Sequence, residues 1–148
     1  MRRDILAIGF AAIVLAGLQA PRAHGEVLIT QAEAELPNVT AVTRGLTRGP
    51  GIEQLAPNPS QTTMSPVSLM IKFVPRNNVA IDPASVKLIY LKSKPIDLTE
   101  RIKKYVTADG IDMVQAEVPP GTHMMRLEVK DQQGRNGFTI IKFIVAGR

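Results

Sequence analysis

The chain has no cysteine and no tryptophan, only two histidines, and an aromatic content of 4% across its 148 residues. Without cysteine there is no disulfide frame, no thiolate metal site, no cysteine nucleophile and no lipid-modified cysteine terminus, so packing alone must hold the fold. No serine sits in a nucleophile elbow. The acids Asp109, Asp112 and Glu117 are spaced too widely for the dense carboxylate pattern of a calcium loop. A long apolar run is also missing: the only candidate, Ile5 to Leu18, falls short of the roughly 20 residues that a membrane span needs.

That run is better read as part of a secretory signal peptide over residues 1–25. Arg2 and Arg3 supply the positive start, Ile5 to Leu18 the apolar centre, and Ala20, Ala23 and Gly25 the small residues near the cut. Cleavage after Gly25 puts Ala23 and Gly25 at the small-residue positions and leaves Glu26 as the new terminus. Loss of Arg2, Arg3 and Arg22 against the single acid Asp4 lowers the formal net charge from +5 to +3. That surplus is ordinary for a small domain, and nucleic acid is not expected as a partner. The expected location is periplasmic or secreted, with no stable transmembrane segment after processing. His123 becomes the only histidine, which excludes a two-histidine zinc motif.

Residues 26–51 read as an N-terminal arm. Thr30 and Glu33 fit a capping box, so a short helix is expected from Thr30 to Leu36, ended by Pro37. Beyond it lie Gly45, Gly49, Pro50 and Gly51 and a small duplication, Thr43-Arg44-Gly45 and Thr47-Arg48-Gly49, which together suggest an exposed segment. Arg44 and Arg48 are candidate contacts for an anion or partner.

From residue 52 to 148 the apolar period becomes two. Val67, Leu69, Ile71 and Phe73 alternate with Ser68, Met70 and Lys72. Ser85 to Leu91 is a second strand whose mixed faces predict burial on both sides. His123 to Val129 and Phe138 to Val145 flank a polar turn, Asp131 to Asn136, and predict an antiparallel hairpin. Between Leu91 and His123 the pattern predicts a helical turn from Thr99 to Tyr105, with short strands at Pro95 to Leu98 and Ile111 to Val118. The expected fold is all-β, two packed antiparallel sheets forming a sandwich.

Three segments carry a resemblance. Ile81-Asp82-Pro83-Ala84-Ser85-Val86 at a strand opening, Pro120-Gly121-Thr122-His123 before another, and Asp131 with Gly134-Arg135-Asn136 at a hairpin resemble the immunoglobulin-like domains of exported bacterial proteins. The similarity runs from Pro66 to Val145, and the whole chain resembles small exported bacterial proteins carrying one such domain. It implies an immunoglobulin-like β-sandwich and prescribes no chemistry, because that architecture hosts many functions.

The leading functional expectation is therefore a non-enzymatic binding or structural module of the cell envelope, without a cofactor. Lys92, Lys94, Arg101, Lys103 and Lys104 are candidate contacts for an envelope protein or an anionic polymer. The last strand, apolar on both faces apart from Lys142, is expected to be buried under the N-terminal arm; with a face or an edge left exposed it is a candidate for docking that arm or for pairing with another chain. One alternative is a periplasmic copper carrier of the copper-resistance sandwich type, using His24 and His123 as ligands after cleavage two residues earlier. Another is a wall-polymer hydrolase using Asp112 and Glu117. N-terminal sequencing of the exported protein should find Glu26 first; a start at His24 together with stoichiometric copper uptake would favour the carrier instead.

Overall fold

Period-two alternation becomes strand in the long elements Val67–Val74, Gly121–Asp131 and Asn136–Val145, and ten strands in all form among the described residues. The computed structural model describes residues 25–42 and 45–147. Residues 1–24, with the expected leader and His24, and Arg44 lie outside the described residues. In chain order the elements are β1 (Glu26–Val27), α1 (Gln31–Ala34), β2 (Gly51–Ala56), β3 (Thr62–Thr63), β4 (Val67–Val74), β5 (Ile81–Tyr90) and β6 (Ile96–Asp97). There follow α2 (Thr99–Ile102), a 3-10 turn (Lys103–Tyr105), β7 (Val106–Thr107), β8 (Gly110–Glu117), β9 (Gly121–Asp131) and β10 (Asn136–Val145). No helix among the described residues is long and apolar enough to cross a membrane.

Two five-stranded sheets result. One has the order β1-β8-β4-β2, with β7 also paired to β8; the other has the order β3-β10-β9-β5-β6. Both are mixed rather than wholly antiparallel, because β1 runs parallel to β8 and β3 parallel to β10. Each parallel pair is a two-residue edge segment delivered by a crossing connection instead of a hairpin.

The core is made by the inward residues of both sheets. Val67, Leu69, Ile71 and Phe73 of β4 are buried, as are Met125, Leu127 and Val129 of β9 and Ile141, Phe143 and Val145 of β10. Strand β5 buries Val86, Leu88 and Tyr90 on one side, but Lys87 is exposed and Ile89 only half-buried on the other. The sequence predicts burial on both faces there; among the described residues no further layer covers that sheet, so its outer face stays at the surface. Gly110 lies in left-handed backbone with φ 154°, and a side chain there would run into the Ile71 carbonyl.

The β9–β10 hairpin has the expected position and an internally satisfied turn. Asp131 accepts from the backbone N–H of Gln133 (2.9 Å) and Arg135 (3.0 Å) and from Arg135 Nε (2.7 Å). Burial by itself would raise the Asp131 carboxyl, but these donors and the Arg135 charge hold it below the usual carboxylate range. Two substitutions separate core from surface. Leu127→Ala should cost about 2–5 kcal/mol in urea unfolding, while Met70→Ala, on an exposed face, should stay within about 0.5 kcal/mol.

Candidate functional site

The site is assembled at one end of the sandwich, and the N-terminal segment builds half of it. Beyond β1, the N–H groups of Leu28 and Ile29 both donate to the Glu117 carbonyl at the end of β8, at 3.0 and 3.4 Å. Their side chains are buried in the main core. Thr30 then caps α1 through the expected capping box: Glu33 N–H donates to Thr30 Oγ1, and Thr30 N–H donates to Glu33 Oε2.

Such a short helix cannot hold itself in place, and Arg101 of α2 supplies the anchor. Its guanidinium donates to both Glu33 carboxylate oxygens, at 2.8 and 2.7 Å, and to the Leu28 carbonyl at 2.9 Å. The Glu33 carboxyl is drawn down to about 2, first by Arg101 and then by the Thr30 donors. A second tie holds the start of β1, where Glu26 accepts from the Tyr105 hydroxyl (2.6 Å) and pairs with Lys104.

A third tie joins the chain after α1 to the turn after β5. Lys92 Nζ donates to the Ala34 carbonyl (2.8 Å) and to Asn38 Oδ1 (2.7 Å), and lies 5.1 Å from the Tyr90 ring centre. Behind it, Tyr90 and His123 form a buried polar link between β5 and β9. His123 Nε2 faces the Pro119 carbonyl at 2.8 Å, so it carries the ring proton; Nδ1 then accepts from the Tyr90 hydroxyl at 2.9 Å. Burial lowers the His123 pKa and raises that of Tyr90 to about 12, so both are neutral at pH 7.

The docked segment leaves a cleft of about 830 Å³ against the β3–β4 connection, the β8–β9 connection and the end of β10. Val27 and Ile29 form one wall; Met64 and Pro66, Val118 to Pro120, and Val145 with Ala146 form the others. Ser65 fixes two of these segments together by accepting from Val118 N–H at 3.1 Å. Thr30, Gln31, Ser65 and Glu117 are the polar residues of the lining, so the cleft offers apolar walls with a few polar positions.

The structure separates the cations singled out by sequence. Lys92 is buried and Arg101 is committed to Glu33, so neither is an open surface charge. Lys104 pairs with Glu26, Lys103 stands 3.5 Å from Glu100 at the surface, and Lys94 is exposed in the β5–β6 turn. Arg48 is exposed at the other end of β4, beside Thr47, whose carbonyl accepts from Arg76 Nη1. Copper ligation by His123 would require breaking one of its two hydrogen bonds. Among the described residues no group of three or more His, Cys, Asp and Glu side chains is placed to hold a metal ion. Sequence reasoning missed the cleft, because its walls come from four separate segments and none carries a local signal.

The clamp has a defined pH window. Because the folded Glu33 pKa lies below its ordinary 4.5, the pair contributes fully above about pH 4.5, and that contribution is lost as pH falls toward 2. Arg101→Ala should lower stability by about 1–3 kcal/mol at pH 7 and flatten this acid limb in pH-dependent urea melts; an unchanged limb would show that the pair does not hold the segment. Comparison of the chain with family models, with curated proteins and with solved structures finds no match.

Proposed function

We propose that this chain is an exported, non-enzymatic binding module of the cell envelope, periplasmic or secreted, with an immunoglobulin-like body. The strand order supports such a body. The first long strand is split between sheets as β2 and β3, β4 and β8 follow in one sheet, and β5, β9 and β10 in the other, as in immunoglobulin-like sandwiches. The disulfide and core tryptophan of antibody domains are missing, and a buried Tyr90–His123–Phe143 cluster packs at the cleft end of the sandwich, with His123 and Phe143 ring centres 5.5 Å apart.

The observation that carries the binding reading is the end cleft. Its walls are apolar, its rim holds the exposed side chains of Val27 and Met64, and its volume suits a ligand group rather than a single water. Several nearby titratable groups are spent on structure: Glu33 on Arg101, Glu26 on Lys104 and Tyr105, and His123 on Tyr90 and Pro119; Glu117 of the lining stands apart from these ties. A binding role uses the cleft without asking any of them to react.

The apolar fluorophore N-phenyl-1-naphthylamine tests this directly. It should bind the full chain with saturable, one-to-one enhancement, and Met64→Glu should weaken binding about tenfold while leaving the urea midpoint unchanged. Equal binding by both proteins would overturn the cleft as the site.

A further inference from the structure

Hydrogen-bond parity along β10 leaves a gap in its outer edge. Asp131 N–H donates to the Arg135 carbonyl, and the β9–β10 register pairs Val129 with Gly137, Leu127 with Thr139 and Met125 with Ile141. Odd-numbered residues of β10 therefore bond to β9, and even-numbered residues turn their N–H and C=O groups to the opposite edge.

Three devices cover parts of that edge. At its end, β3 pairs with Ile144 and Val145, and Ala146 N–H donates to the Thr63 carbonyl at 2.8 Å. Next, the Gln54 side chain imitates a peptide: its Nε2 donates to the Lys142 carbonyl (2.9 Å), and its Oε1 accepts from Lys142 N–H (3.3 Å). At the turn end Gly49 lies so close to the Asn136 carbonyl that a side chain on Gly49 would run into it. Between these covers, β10 has no paired strand on its outer edge, and the main-chain groups of Phe138 and Ile140 have no partner among the described residues. A recess of about 440 Å³ opens beside them, bounded by Gly45, Gln54 and Pro59.

We propose that this gap is a strand-acceptor site, which takes a short extended peptide from a partner chain alongside Phe138 to Ile140. The occupant's chemistry follows from what faces it. Two donors and two acceptors repeating every second residue match an extended peptide backbone. Phe138 and Ile140 are half-buried on the outer face and favour apolar neighbours across the new pair. Lys142, exposed and without an acidic partner among the described residues, calls for a carboxylate at the end of the peptide nearest Gln54. Gln54 and β3 close the edge beyond that point and limit the added strand to a few residues. This surface is separate from the end cleft, so either one can fail without the other.

Amide exchange in the full chain, measured by NMR, gives the first test. Phe138 and Ile140 should exchange at least about tenfold faster than Thr139 and Ile141 in the free protein. The probe is an acetylated pentapeptide alternating valine and threonine and ending in glutamate. It should slow exchange at Phe138 and Ile140 selectively, and the same peptide N-methylated at alternate residues should have no effect. Ile140→Pro removes only an outward N–H and should abolish the response while keeping the β9 ladder. Lys142→Glu, which does not touch the backbone, should weaken the glutamate peptide about three- to tenfold and favour a lysine-ended one. Equal protection of all four amides in the free protein, or equal action of the methylated peptide, would overturn the proposal.

Discussion

The fork of hydrogen bonds from Arg101 to Glu33 and to the Leu28 carbonyl is the contact on which the sandwich end depends. A four-residue helix has no independent stability, and β1 contributes only a two-residue parallel ladder. Leu28 and Ile29 supply the apolar gain of docking, and Arg101 fixes the register in which they dock. Once that segment is in place it covers part of the core and forms a wall of the cleft. Stability and the proposed binding surface therefore share one origin.

The same economy explains the charge distribution. Lys92, Arg101 and Lys104, candidate surface contacts by sequence, each turn instead to acceptors on residues 26–38. Lys92 is the extreme case: burial lowers its pKa, and two oxygens and an aromatic face compensate the buried ammonium. Without cysteine, such ties take the place of a disulfide in joining residues 26–38 to the middle of the chain.

Much of this was legible from local pattern. The alternation in β4, β9 and β10, the capping box at Thr30 and Glu33, and the turn at Asp131 each follow from a few adjacent residues and fold as their chemistry requires. Strand β2 was not legible, because a bulge between Gln54 and Ala56 breaks the alternation and leaves Leu55 exposed. Lys92 and Arg101 read as surface cations for a different reason: their partners lie more than fifty residues away, where spacing gives no information. The cleft was hidden likewise, since Val27, Met64, Val118 and Ala146 meet only after the sheets have closed.

A binding module should carry evidence of its ligand when taken from its own compartment. Native mass spectrometry of the protein isolated from its host without detergent tests the proposed binding role directly. An adduct on the wild-type chain that is lost from the Met64→Glu variant is the predicted result. The bare chain mass from both proteins, or the same adduct on both, would contradict binding in the cleft.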